Sequence, residues 1–535
     1  MVSVEAAIAH PERPAADRRS AAMWVVIVAV AVLPPLTQVT YFVAHARRDW
    51  PLIFADDAFY YFGVARHIGA GEGSTFAGLI QTNGYHPLWM GVLSAVAFVV
   101  RDAYDFLAAV VVVLSLLWLG VVHQGLAIGR RLGSEAAALA GLAALGVLAV
   151  LTGQLSFSGM ESAPLLFLLL LAVRLVLDLD DEDDRGDLRV GLVLALVCLA
   201  RLDAVLTAVP LAVVAARRGQ PPLVASARRA VRLAGPMAAA LAGYMLLSLA
   251  VFGTPTPVSG QAKSLGGPFF DLRPVEQVLS AGQAGPRRLW IGALTLVMFG
   301  LAVALSRRRT DRTRRRLMGC AVAALVGQVL LLAYLVVASS YPVWAWYHYN
   351  IALLAFCATT LVAVAAGRDG TARVAERACL AAALVFAIVQ IPVTLLSHLN
   401  HQPQEIDTAR FIDRTLPPGT VLAMGDRAGL IGYLANRPLL QVEGLMADAR
   451  WLDDLSRGTA RQRIAEEGVT AYVWAGWVPA PVTLPDGRVC HRLTEPDNSQ
   501  GPRFTVTVCD QDVLFHAGQG NDQFTVWRYR PELNR

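Results

Sequence analysis

The sequence predicts a polytopic α-helical membrane protein of about eleven transmembrane helices, followed by an extracytoplasmic α/β domain. Three observations predict it. Of 535 residues, 55% are hydrophobic and 16% charged, where soluble domains carry about 25% charged residues; mean hydropathy is +0.49. Apolar runs alternate with short arginine-bearing loops as far as residue 397, the positive-inside pattern. Beyond that point the runs shorten and turn formers cluster. A soluble globule, a disordered chain and a coiled coil are excluded. The net charge of +5 gives no reason to invoke nucleic acid, because the arginines lie mainly in short loops between apolar runs.

Residues 1–20 are polar and carry Arg13, Arg18 and Arg19; they read as a cytoplasmic tail. The membrane module spans 21–397. The apolar run 21–44 is longer than a signal h-region of about 7–15 residues and reads as an uncleaved first helix. An external loop, 45–103, follows. Within it, 87–100 would span about 21 Å as a helix, short of the ~30 Å hydrocarbon core. It reads as a juxtamembrane or re-entrant helix on the outer side. Runs 106–127, 136–151 and 164–177 then go inward, outward and inward. The last enters an acidic loop at 178–187, which breaks the charge pattern, although acidic residues contribute little to orientation. Run 190–216 is interrupted by Arg201-Leu202-Asp203, which suggests two short helices meeting at an outer turn. Arg217, Arg218, Arg228, Arg229 and Arg232 mark the cytoplasm. Run 233–252 leads to a second external loop, 253–288. Run 289–305 enters the densest basic loop, 307–316, and runs 317–338, 349–366 and 379–396 complete the module. The N-terminus is inside and the C-terminus outside.

Residues 398–535 form the extracytoplasmic domain. A helix is expected at 405–415 and another near 459–467, with buried strands at 421–424, 439–442 and 470–474 and short strands from 488 to 530. Cys490 and Cys509 share this polar region. An oxidising compartment permits a disulfide between them, two buried thiols being the alternative.

The chemistry-bearing residues concentrate near the outer surface. Asp56 and Asp57 open an aromatic, helical stretch, and Arg66, Asn83 and His86 follow. One aspartate would be explained as a helix cap. Two, framed by apolar helices, exceed what capping needs and read as catalytic. Glu161 stands at the outer end of an apolar helix, as a substrate contact or a carboxylate on the helix dipole. Of 46 basic residues a single one is lysine, Lys263. It sits in the second external loop against the positive-inside bias, where it suits a phosphate or is simply solvated. His348 follows an aromatic belt at 344–347 and suits a phosphate too. Arg201 binds ligand or pairs with Asp203, the pairing being favoured. In the C-terminal domain Trp474 and Trp477 are candidates for sugar stacking, with burial the expected fate of Trp474. No Walker A motif, GxSxG elbow or His/Cys metal cluster occurs.

The acidic pair, Thr82-Asn83-Gly84-Tyr85-His86-Pro87-Leu88-Trp89, the turn Ser158-Gly159-Met160-Glu161-Ser162 and the turn Arg201-Leu202-Asp203 resemble those of GT-C fold glycosyltransferases. The actinobacterial arabinofuranosyltransferase and mannosyltransferase-like members are the nearest in pattern. Pro257 to Lys263 resembles their Pro-Ser-x-Ala-Lys loop, and His348 their histidine before a late helix. The resemblance implies an inverting enzyme in a bacterial plasma membrane. It would take a sugar from a polyprenyl-phosphate donor and give it to a cell-envelope glycan or lipid acceptor, among membrane lipid. It implies Asp56 as general base, with Asp57 orienting or substituting for it, and Lys263, His348 and Arg201 on the donor phosphate. Glu161, Arg66, Asn83 and His86 would contact substrate or support those that do. No cofactor is implied, because phosphate is already a good leaving group. The alternative is a transporter or flippase for a lipid-linked saccharide. The absence of a clear internal repeat and the concentration of polar residues on one face speak against it. A scaffold presenting residues 398–535 to a cell-wall partner leaves the acidic pair unexplained.

Overall fold

A computed structural model describes residues 20–151, 157–180, 183–218, 223–280, 291–306, 311–367, 372–396, 403–497 and 499–534. Residues 1–19 of the expected cytoplasmic tail, residues 307–310 of the basic loop and the boundary at 397/398 lie outside them. Helix α1 (Ala21–Ala44) starts where Ser20 accepts the Met23 N–H. Two helices then lie within residues 45–103: α2 (Asp56–Ala70) and α3 (Pro87–Val99), the latter opened by a proline at its first position. The membrane body continues through α4 (Ala103–Arg131), α5 (Glu135–Leu151), α6 (Ser162–Asp178), α7 (Asp184–Ala200), α8 (Val205–Ala216) and α9 (Leu223–Phe252). The segment after α9 carries α10 (Val258–Ser264) and α11 (Arg273–Ser280). Then come α12 (Ile291–Ser306), α13 (Arg312–Ala338), α14 (Tyr349–Ala366) and α15 (Ala372–Leu396).

Among the described residues, five helices are long and apolar enough to cross a membrane: α1, α4, Ala227–Phe252 of α9, α13 and Trp346–Ala366, which contains α14. Helices α5, α6, α7, α8, α12 and α15 pack against them. Lipid tails are as apolar as leucine, so these helices are held by close packing and by polar contacts. Gly141 lets α5 approach α14, where a Cβ would stand 2.2 Å from Thr360 Oγ1. Thr207 of α8 donates to Asn350 Oδ1 of α14 at 2.6 Å in the buried core. The acidic loop that breaks the charge pattern is accounted for locally. Asp183 caps α7, Asp187 makes a buried ion pair with Arg218, and Asp184 pairs with Arg232. Helix α9 begins ten residues before the expected apolar run, because its first turns are basic and amphipathic rather than apolar. The run at 190–216 does divide into α7 and α8 around a turn at Leu202–Ala204.

The C-terminal domain contains α16 (Pro403–Thr415), β1 (Val421–Met424), α17 (Ala428–Leu434), β2 (Leu439–Gln441), α18 (Ala449–Arg457), α19 (Ala460–Glu466) and β3 (Val469–Ala475). Strands β4 (Val482–Thr483), β5 (Val489–Glu495), β6 (Phe504–Cys509), β7 (Val513–Ala517) and β8 (Phe524–Arg528) follow. One sheet has the order β2-β1-β3-β8-β7, with β2, β1 and β3 parallel and β8 antiparallel to both neighbours. A second, antiparallel sheet is β4-β5-β6, and a disulfide joins Cys490 to Cys509 directly across it. Helices α17 and α18 are additions to the sequence expectation. The first has seven residues, two of them glycine, and the second is mostly polar; neither carries a long apolar period.

Helix α17 is the dock between the two parts. It packs on α2, Tyr433 donates to Ala103 O at 2.6 Å, and the Tyr433 ring meets Phe59 with centroids 5.2 Å apart. The contact is backbone-close at Gly84, where a Cβ would fall 2.0 Å from Leu445 O.

Candidate functional site

Asp56 and Asp57 start α2 side by side, and their carboxylates go to different places. Asp56 Oδ2 accepts the Gly429 N–H at 3.1 Å, and Oδ1 accepts the Leu430 N–H at 2.9 Å. It therefore satisfies the first N–H groups of α17, as a capping residue does within its own helix. Gly429 has to be glycine here, since a Cβ would stand 2.2 Å from Asp56 O.

Asp57 instead lines a chamber of about 50 Å³ shared with Tyr60, Tyr61, His86, Glu161, Arg201, Ser259, Lys263, Trp346 and Tyr347. Burial raises its pKa to about 7, against the pull of Lys263; the charges of Asp56, Asp426 and Glu161 add to the rise. Part of that negative field comes from the C-terminal domain. There Glu443 is held well above the usual carboxylate range by burial and by Asp426 and Glu495.

Lys263 belongs to α10, which Asn83 holds in place. Asn83 Oδ1 accepts the Val258 N–H at 3.0 Å, and its Nδ2 donates to Ser248 Oγ at 2.8 Å and to Thr256 O at 3.1 Å. Lys263 Nζ donates to the Tyr347 hydroxyl at 3.3 Å and lies over that ring. Burial works against its charge, but Tyr347 and Asp57 outweigh this and raise its pKa. Arg201 is fully buried at the α7–α8 turn. It forms a two-pronged pair with Asp203 (2.9 and 2.8 Å), ion-pairs with Glu161, and stacks 4.7 Å from the Tyr347 ring centroid. His86 Nδ1 accepts the Leu202 N–H at 3.3 Å, and its Nε2 stands 4.0 Å from Glu161. Burial lowers the His86 pKa to about 4, so the ring is neutral and holds the turn that carries Arg201.

The chamber shares His86, Arg201, Ser259, Lys263 and Tyr347 with the lining of a larger cavity of about 420 Å³. That cavity is walled by Leu202, Val205 and Leu206 around the start of α8 and by Tyr334 and Leu335 of α13. Cationic heads thus lie between an apolar slot and a carboxylate. Such an arrangement accepts an anion with an apolar tail on one side and presents its other side to a base.

The sequence candidates divide. Asp57, Glu161, His86, Arg201 and Lys263 meet in the chamber. Asp56 and Asn83 stand behind it as positioning residues. His348 does not line it: its Nε2 faces Gln277 O at 3.4 Å, on the side of α11. The tight turn Ala345–His348 sends adjacent side chains in different directions, and Tyr347 and Trp346 take the chamber side. Sequence reasoning misses these two, with Tyr60, Tyr61 and Ser259; as members of aromatic belts and an ordinary loop they carry no distinguishing signal. Arg66 points away, to a groove at the opposite end of α2. Trp474 is buried, whereas Trp477 is 68% exposed.

No protein-family model and no curated protein matches the chain. Solved structures do match its fold. ArnT from Cupriavidus metallidurans, solved bound to undecaprenyl phosphate and in the apo state, covers 85% of this chain and 94% of its own. The TM-score is 0.52 at 13% identity in both. The Archaeoglobus fulgidus oligosaccharyltransferase, solved in complex with Zn and sulfate, covers 91% of this chain and 75% of its own, with a TM-score of 0.47 and 12% identity. The chain has the fold of ArnT, a GT-C fold, and is a membrane-embedded α-helical protein with a C-terminal sheet domain.

Proposed function

We propose that the protein is an inverting membrane glycosyltransferase. It takes a sugar from a polyprenyl-phosphate donor and transfers it to a cell-envelope glycan or lipid acceptor at the outer face of a bacterial plasma membrane. The observation that carries this reading is the chamber itself: Asp57, with a pKa of about 7, faces Lys263 and Arg201 where an apolar slot opens. The likeness of fold to ArnT, a protein solved with undecaprenyl phosphate, supports it. The donor phosphate rests against Lys263 and Arg201, with the Tyr347 hydroxyl beside them, and its tail runs along Leu202, Val205, Leu206 and Leu335. The sugar enters the chamber.

The acceptor hydroxyl attacks the anomeric carbon from the face opposite the phosphate, and its proton passes to Asp57. The bond from that carbon to the phosphate oxygen breaks, and its electron pair stays on the phosphate. Lys263 and Arg201 stabilise the charge that develops there. Asp57 rather than Asp56 is the base, because both Asp56 oxygens are occupied by the N–H groups of α17. A base whose pKa lies near the working pH is the most effective.

The test is transfer of label from a panel of radiolabelled polyprenyl-phosphate sugars, arabinofuranose and mannose among them, to a cell-envelope glycan extract. Detergent-purified protein should transfer from one of them. Asp57→Asn should lose about 10²–10⁴-fold, the range typical of a general base, with expression and melting temperature retained. An Asp57→Asn enzyme of full activity overturns the assignment. Movement of labelled lipid across vesicles without any acceptor replaces it with a transporter.

A further inference from the structure

The sequence groups Arg66 with the reacting residues, and the structure sets it apart from them. On α2 it follows Asp57 by nine residues, which places it about 14 Å further along the axis and half a turn round the helix. It lines a groove of about 510 Å³ between α2, the end of α3 and the end of α17. We propose that this groove binds a phosphate group, supplied by the headgroup of an anionic lipid at the membrane surface. The inference needs only a membrane-embedded chain and does not rest on glycosyl transfer.

Three guanidinium groups, those of Arg66, Arg101 and Arg437, line the groove together with His67. Arg66 lies 5.1 Å over the Tyr433 ring and makes no hydrogen bond or ion pair with any described residue. Arg101 donates to Gly69 O and lies 5.3 Å from the Phe98 ring, and no described carboxylate pairs with it. Arg437 donates to the backbone carbonyls of Asp413, Leu416, Pro417 and Asn436, and its nearest carboxylate, Asp413, is 3.6 Å away. Among the described residues, Glu72 is the one carboxylate that lines the groove, 3.7 Å from His67. Like charges converging on a concave surface repel one another, and an anion relieves this. The guanidinium fork matches phosphate oxygens, and Arg66 and Arg101 keep N–H groups available for them.

The lipid source follows from the neighbours. Helix α3, too short to span a bilayer, ends at the groove with Phe98 68% and Val99 78% exposed, one residue short of Arg101. Exposed apolar side chains beside a basic one place that end at the level of the headgroups. An anionic lipid can then put its acyl chains alongside Phe98 and Val99 and its phosphate between Arg66 and Arg101.

The full chain, purified in detergent, is mixed with phosphatidylglycerol or phosphatidylcholine, and bound lipid is counted by native mass spectrometry; inorganic phosphate is titrated separately by calorimetry. Wild type should retain phosphatidylglycerol in preference to phosphatidylcholine. The R66Q/R101Q variant should lose that preference by about thirtyfold, as expected for two basic side chains at a charged surface. Arg101→Gln alone, which leaves the Arg66–Tyr433 stack intact, should lose part of it. Glu72→Gln should strengthen retention several-fold, a gain that misfolding does not produce. Equal retention of the two lipids by wild type, or unchanged phosphatidylglycerol retention in all three variants, overturns the proposal. Binding of inorganic phosphate that depends on Arg66 and Arg101, without lipid retention, overturns the lipid source.

Discussion

Asp56 and Asp57 are neighbours, and successive residues on a helix point about 100° apart. That rotation gives them different partners: the N–H groups at the start of α17 for one, the chamber with Lys263 for the other. Two pH-dependent results are expected. With Asp57 as the base, kcat/KM should rise with pH as its carboxyl loses a proton and level off above an apparent pKa near 7. Lys263 lowers that pKa, so Lys263→Met should shift the acidic limb to higher pH and also slow the reaction. A pH–rate profile of both proteins checks the sign, and a limb that moves down in Lys263→Met contradicts the assignment. The sequence points to an unusual acidic pair but does not divide its labour. The division depends on Gly429 and Leu430, more than 370 residues away along the chain. Arg201 is a similar case. Its pairing with Asp203, two residues on, is local and readable, whereas its contact with Glu161 needs two helices brought together.

At the scale of elements, α17 is where the C-terminal domain meets the membrane module, and Asp56 is its clip. Removing a carboxylate that satisfies two backbone N–H groups costs about 1–2 kcal/mol. Asp56→Ala should therefore lower the melting temperature and expose the chain around α17 to limited proteolysis. Gly429→Ala should do the same from the other side, since its new Cβ meets Asp56 O. Asp56 also raises the Asp57 pKa, so Asp56→Ala should move the acidic limb down in pH and leave residual activity. Asp57→Asn should do the reverse, slowing transfer by about 10²–10⁴-fold and sparing stability. If Asp56→Ala keeps full stability and loses all transfer, the two roles are exchanged. The long apolar helices are legible in the chain itself because length and apolar runs are sequence properties: α1 and α14 start and end with their apolar runs. Helices α10, α17 and α18 are not legible in this way, because each is short and held by contacts with other parts of the chain. Asn83 holding the start of α10 and Asp56 holding α17 are such contacts.

The whole molecule places its chamber between one end of the membrane helices and a sheet domain, and the proposed reaction works only if that side faces outward. Two features favour this orientation. The arginine-rich loops around Arg131, Arg218 and Arg312 lie at the helix ends remote from the chamber. The sheet domain carries the disulfide, while the free cysteines, Cys198, Cys320, Cys357 and Cys379, all lie on membrane helices. Labelling of intact cells with a membrane-impermeant maleimide tests it. In a background with those four cysteines replaced by serine or alanine, Asp486→Cys sits at an exposed turn between β4 and β5, and Arg131→Cys at the exposed end of α4. The first should be labelled on intact cells and the second only after permeabilisation. The reverse pattern would put the chamber, its donor and its acceptor on the cytoplasmic side. It would then remove the outer-face reaction while leaving the fold and the chamber chemistry as they stand.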